Sequence, residues 1–206
     1  MEIYFVRHGQ TIWNTEKRFQ GFSDSPLTEL GIEQAKLLGK KLENIEFDKF
    51  YSSPLKRAYD TANYIKGNRA QEVEIFEDFK EISMGKMEGM QHDEFKKLHP
   101  QQLKDFFFDQ AHYDPTPYNG ESFIELSERL RKGLEKFVEL NKNYKRILVV
   151  SHGAALKTLL HYIKGEGIET LSEEDIPKNT SYTIVNYDGK NFKITDFSNT
   201  SHLENL

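Results

Sequence analysis

The chain is predicted to be an α/β protein, a three-layer sandwich around a mainly parallel central sheet. Three observations carry that expectation. Short apolar runs alternate with stretches of helical period, the pattern of strands joined by crossover helices. The run RILVV (146–150) is apolar on both faces, as a strand in the middle of a parallel sheet must be. The 206 residues are enough for one domain with a sizeable core, so 1–206 is read as a single domain.

The elements follow in order. Ile3–Val6 is β-branched and aromatic, stops at Arg7-His8-Gly9, and reads as a first strand. A helix follows from Thr28 as N-cap, with Ile32, Ala35, Leu38, Leu42 and Ile45 at spacings of three and four. FDKFYSS (47–53) reads as a second strand. Ser53-Pro54 then reads as cap and first residue of a helix whose apolar face is Ala58, Ala62 and Ile65. VEIFEDF (73–79) reads as a third strand, and 82–90, with Gly85, Gly89 and three methionines, as a loop. Short helices and turns are expected over 91–120, so that about 80–120 forms an insertion over the active site. Residues 121–141 give a long amphipathic helix with Phe123, Leu126, Leu130, Leu134 and Phe137 on one stripe. RILVV and the helix AALKTLLHYI (154–163) come next. YTIVNYDGKNFKITDF closes the chain as an edge hairpin turning near Asp188-Gly189.

Composition narrows the function classes. Lys and Arg number 28 against 33 Asp and Glu, a formal net charge of −5. That balance argues against a protein that coats nucleic acid or an anionic membrane, without excluding one small basic pocket. There are no cysteines, which excludes disulfides, thiolate metal sites and cysteine nucleophiles. No leader or membrane span is visible, and a cytoplasmic protein is expected.

Chemistry is expected beyond the carboxyl ends of the strands, where doubly wound sheets bind ligands. The first strand ends in Arg7-His8-Gly9, the second runs into Arg57, and the central one ends in Ser151-His152-Gly153. Two arginines near helix N-termini make an anion site, because guanidinium donors pair with phosphate oxygens. A neutral histidine there can attack phosphorus while the cations hold the spreading charge. The glycine after each histidine leaves room for a ligand beside the backbone. His92, His99, His112, His161 and His202 show no metal-ligand spacing, so no metal and no cofactor is expected. The elbow that would activate Ser151 is absent, as is a nucleotide-binding P-loop. Phe106, Phe107 and Phe108 are candidates for a cleft wall or for helix packing.

The segments VRHGQTIWNTEKRFQG, SDSPLTELGIEQA, YSSPLKRAYDTA, EISMGKMEG and VVSHGAALK, in that order, resemble the histidine phosphatase superfamily, its phosphoglycerate mutase-like branch. The resemblance runs from residue 2 to about 165, and the length and the 80–120 region resemble the broad-specificity phosphatases of bacilli. It implies that His8 is the nucleophile and that Arg7, Arg57 and His152 bind the transferred phosphoryl group. It further implies that Asn14 meets phosphate, that Gln20 and Gly21 form a loop near substrate, and that Glu81 is the proton donor. Without the resemblance, Glu81 reads as a surface carboxylate ending a strand.

Three functions are weighed. A metal-independent phosphomonoester phosphatase acting on a small-molecule ester is favoured. A phosphoglycerate mutase is the alternative, but it must hold a second anion, and Met90 to Ser122 has only Lys96, Lys97 and Lys104 as cations. Aromatic residues fill that stretch instead, which suits varied leaving groups. A non-catalytic binding module would be expected to have lost His8 or Glu81, and both are present. The physiological substrate and the oligomeric state are not legible.

Overall fold

The computed structural model describes residues 1–204 and 206. In chain order the elements are β1 (Glu2–Arg7), α1 (Ile12–Thr15), α2 (Glu29–Lys41), β2 (Lys49–Ser52), α3 (Lys56–Lys66), β3 (Val73–Ile75), α4 (His92–Leu98), α5 (Pro100–Phe108), α6 (Phe123–Leu140), β4 (Arg146–Ser151), α7 (Gly153–Ile163), β5 (Tyr182–Tyr187) and β6 (Phe192–Asn199). One six-stranded sheet runs β3-β2-β4-β1-β5-β6. β3, β2, β4 and β1 are mutually parallel, and β5 is antiparallel to both β1 and β6. The mainly parallel sheet and the edge hairpin are thus as expected, with β4 and β1 in the centre.

The period of two along each strand builds the layers. Ile3, Phe5, Ile147 and Val149 face one core with Leu130 and Leu134 of α6 and Ala155 and Leu159 of α7. Tyr4, Val6, Leu148 and Val150 face the other, with Ala35 and Leu38 of α2 and Ala58 and Ala62 of α3. Leu134 is fully buried, and trimming such a side chain to alanine costs about 2–5 kcal/mol. The long helix α6 begins at a reciprocal cap. Ser122 Oγ accepts from Glu125 N at 3.1 Å, and the Glu125 carboxylate accepts from Ser122 N at 2.8 Å.

Three local expectations are corrected. Ser53-Pro54 does not start α3, which begins at Lys56 with no cap from its own N-terminal side chain. Its free N–H groups are taken by a distant carboxylate instead. Asp24 accepts from Lys56 N at 2.7 Å and from Arg57 N at 3.3 Å. The third strand stops at Ile75, because Phe76 and Phe79 turn inward to pack edge-on and tilted against Phe137 and the chain winds into a short 3₁₀ turn. The helix α1 was missed. It is four residues held by a capping box between Thr11 and Asn14, too short to show a period.

The insertion lies beside the strand ends and is sewn to the loop after α1. Phe19 N donates to Met90 O at 3.0 Å and His92 N to Lys17 O at 2.9 Å. The buried Phe19 ring meets His92, Phe95 and Phe106 at centroid distances of 4.3, 5.3 and 5.7 Å.

Candidate active site

Two neighbouring parallel strands release their chains at the same level. Arg7 is in register with Ser151, and His8 N donates to Ser151 O at 3.0 Å. His8 and His152 therefore face each other with ring centroids 5.3 Å apart. β2 ends one strand further on, and Ser53 N donates to Val150 O at 2.9 Å. These pairings gather Arg7, His8, Ser53, Arg57 and His152 from three segments far apart in sequence.

The state of His8 is fixed by one bond. Its Nδ1 lies 2.8 Å from the carbonyl of Gly9, which can only accept, so Nδ1 carries the hydrogen and Nε2 the lone pair. Burial, then Arg57 and Arg7, hold its pKa well below the ordinary histidine value. The ring is neutral at neutral pH with its nucleophilic nitrogen free.

His152 is set by Ser53. Its Nε2 lies 2.7 Å from Ser53 Oγ, and that oxygen also accepts from Leu55 N at 3.3 Å. The fully buried serine hydroxyl has His152 Nε2 as its acceptor among the described residues. Satisfying it places the His152 hydrogen on Nδ1. Burial, then Arg57, His8 and Arg7, keep this ring neutral too.

Around His8, three buried donors have no partner among the described residues: His152 Nδ1, Arg7 Nε and Arg57 Nε. Arg7 gives Nη1 to Pro177 O at 2.7 Å, and burial and Arg57 draw its pKa down to about 10, still charged. Arg57, 1% exposed, spends both Nη groups on the loop it faces: Nη1 on Ser23 O and Asp24 Oδ1, Nη2 on Gly21 O. Unpaired buried donors of this kind are costly. They are the kind of donors that would pair with a tetrahedral anion.

Glu81 is buried, against the surface reading. Its carboxylate closes the N-terminus of α7, accepting from Ala155 N at 2.8 Å, Ala154 N at 3.2 Å and Ile82 N at 3.0 Å. Arg129 holds the backbone behind it, donating to Asp78, Lys80 and Glu81 carbonyls while paired to both oxygens of Glu121. That positioning arginine was not found from sequence. It sits mid-helix, and although Glu121 lies eight residues before it, the carbonyls it holds lie about fifty residues upstream.

A cleft of about 120 Å³ opens over this floor. Arg7, Asn14, Gln20, Gly21, Glu81 and Gly153 line it, while His8, Arg57 and His152 lie beneath. Asn14 commits Oδ1 to Thr11 N at 3.1 Å, so its amide donors are what it offers the cleft. Gln20 Oε1 accepts from Thr11 Oγ1 at 3.0 Å. Gly21 has φ +54° and could not carry a side chain beside Glu88. The glycine argument for ligand room is corrected at Gly9. A Cβ there would meet Gly31 O at 2.5 Å, so Gly9 is required by chain packing. Phe106 and Phe107 form part of the wall, and Phe108 is exposed. Arg18, Phe19, His92 and Ile176 also line the cleft and were missed.

His161, which shows no metal-ligand spacing in the sequence, has Glu166 at 3.0 Å and Glu174 at 3.8 Å, and Glu174 is also paired with Lys164. These groups lie close enough to hold a cation. They sit at the far end of α7 from Glu81.

The family model described as histidine phosphatase superfamily, branch 1, matches residues 3–200. An uncharacterized phosphatase PhoE of Bacillus subtilis is 33% identical over 98% of this chain and 96% of its own. A metal-independent phosphoserine phosphatase of Arabidopsis thaliana is 34% identical over 100% of this chain and 84% of its own. Proteins named phosphoglycerate mutases also match. Among solved structures, YhfR of Bacillus stearothermophilus superposes with a TM-score of 0.93 at 35% identity, covering 98% of this chain and 99% of that one.

Proposed function

Because this chain belongs to branch 1 of the histidine phosphatase superfamily, we propose that it hydrolyses small phosphate monoesters through a phosphohistidine on His8. The observation that carries the reading is the state of His8. It is a neutral imidazole with its hydrogen fixed on Gly9 O and its Nε2 free among three unpaired buried donors.

In this reading His8 Nε2 attacks phosphorus and the P–O bond to the alcohol breaks. Arg7, Arg57 and His152 Nδ1 hold the equatorial oxygens, with Asn14 at the cleft wall. Gln20 and Gly21 shape the loop beside the leaving group, and Gly153 lets α7 start beside Arg7. Glu81 gives its proton to the departing alkoxide, then takes one from the water that attacks phosphohistidine, releasing inorganic phosphate and free His8. The charge is neutralised by these side chains, so the step uses no metal. The setting in this reading is cytoplasmic.

Hydrolysis is favoured over mutase chemistry because Lys96, Lys97 and Lys104 of the insertion are exposed and none lines the cleft, and because Arg18, which does line it, is paired with Glu16 and with Gly89 O. Mild-pH quenching and peptide mass spectrometry should find base-stable phosphate on His8 in the wild type. His8→Ala should lose that label and at least about 10³ in kcat. A variant that keeps most of its activity refutes the mechanism.

A further inference from the structure

A second cavity, of about 300 Å³, adjoins the catalytic cleft and shares Phe106, Phe107, Ala154 and Ile176 with it. Its walls are aromatic, with Phe108 and Phe123 added. Two polar groups stand out in it. Lys157, one helical turn along α7 from Ala154, is 7% exposed. Among the described residues its ammonium has neither a carboxylate within ion-pair reach nor an acceptor within hydrogen-bond reach. Gln110 is also buried and gives its Nε2 to Phe106 O and Phe107 O, which leaves its Oε1 without a partner.

The Lys157 stem is buried while its unpaired ammonium keeps some exposure, and burial lowers its pKa. Two carboxylates share the cavity, and neither cancels it. Glu174 is paired with Lys164, and Asp175 stands at the exposed rim, where water screens it. The floor of an apolar pocket leading away from the phosphate site therefore carries one uncompensated positive charge. Pockets of this kind use few polar groups to fix a ligand's orientation.

We propose that this cavity is the leaving-group subsite, and that Lys157 selects phosphate monoesters whose apolar or aromatic alcohol carries a carboxylate. The proposal rests on the phosphatase reading above and adds the class of substrate to it. The carboxylate accepts from Lys157, the apolar body lies among Phe106, Phe107 and Phe123, and Gln110 Oε1 accepts from a hydroxyl or N–H beside it. The cation of this second cavity comes from α7 and not from the insertion.

The test compares phenyl phosphates bearing para ω-carboxyalkyl chains of increasing length with their primary amides, which share size and leaving-group basicity. The wild type should prefer the acid of one chain length over its amide by about tenfold or more in kcat/KM, the worth of a charge-assisted hydrogen bond. Lys157→Met should abolish that preference, with an unchanged far-ultraviolet circular dichroism spectrum and urea midpoint reporting an intact fold. Lys157→Arg should retain the preference. A wild-type ratio near one at every length overturns the subsite with the phosphatase reading standing, as does a preference that survives Lys157→Met. Failure to hydrolyse any of the esters overturns both.

Discussion

Ser53 makes no contact with the cleft in this structure, yet removing its hydroxyl should cripple the phosphate site. The Ser53 O–H donates to His152 Nε2 at 2.7 Å and so keeps the His152 hydrogen on Nδ1, beside His8. In Ser53→Ala nothing selects that tautomer. With the hydrogen on Nε2, the Nδ1 lone pair would face phosphate oxygen. A donor bond to an anion becomes a repulsion, and the lost bond alone is worth about 1.5–3 kcal/mol. At 1.36 kcal/mol per decade this is roughly 10- to 150-fold in kcat/KM. The loss should fall on phosphoenzyme formation for good and poor leaving groups alike, because the phosphoryl oxygens are common to both. The same oxygen accepts from Leu55 N at 3.3 Å, so stability should fall by about 1 kcal/mol. Stopped-flow bursts with p-nitrophenyl phosphate measure the first effect and urea unfolding the second. A folded Ser53→Ala protein with a burst within about twofold of wild type, far below the lost bond, would refute the tautomer argument.

Three further outcomes are expected. Glu81→Gln should slow phosphoenzyme formation from alkyl phosphates by roughly 10²–10⁴ and from p-nitrophenyl phosphate much less, since nitrophenolate leaves unprotonated; equal losses in the two bursts would return Glu81 to a positional role. His8 and His152 titrate well below the ordinary value when folded, and His202 is lowered to about 4. The unfolded chain then binds more protons below about pH 6.5, so stability should be full above that pH and fall as pH drops toward the folded values; a urea midpoint as high at pH 5 as at pH 7.5 contradicts this. Chelation should leave turnover unchanged within assay scatter, because no step above uses a metal ion; strong loss restored by zinc or magnesium would contradict it.

Strand ends and their motifs were legible because each is local. Arg7-His8 and His152-Gly153 follow apolar runs that can only be strands, and parallel neighbours must emerge together. What sequence did not give is chemistry made by distance. Ser53-Pro54 carries a good helix-start signature, but the hydroxyl is committed to His152 and the cap comes from Asp24, about thirty residues upstream. Glu81 read as a surface group because nothing nearby in sequence announces that the N–H groups of Ala154 and Ala155 will meet it. Arg129 and Lys157 looked like ordinary charges on amphipathic helices. Their roles depend on which face the fold covers, which period alone does not tell.

The stitching of Phe19 to the insertion bears on how such an enzyme changes its diet over evolutionary time. In the proposed mechanism the reacting groups sit at the carboxyl ends of the strands, and Phe106 and Phe107 of 91–120 help wall the cleft, so exchanging that stretch between relatives invites itself as a route to new substrates. The exchange cannot be clean. Phe19 is wedged among His92, Phe95 and Phe106, its own N–H and C=O are bonded to Met90 and Gly89, and Lys17 O just before it is bonded to His92. Gln20 and Gly21 come next in the chain, and Gly21 O anchors Arg57. A foreign insertion that fits Phe19 badly would tilt the guanidinium on the floor as well as the wall. The transferable unit is two pieces of chain, the loop before Gln20 and the insertion, inherited together although some seventy residues separate them.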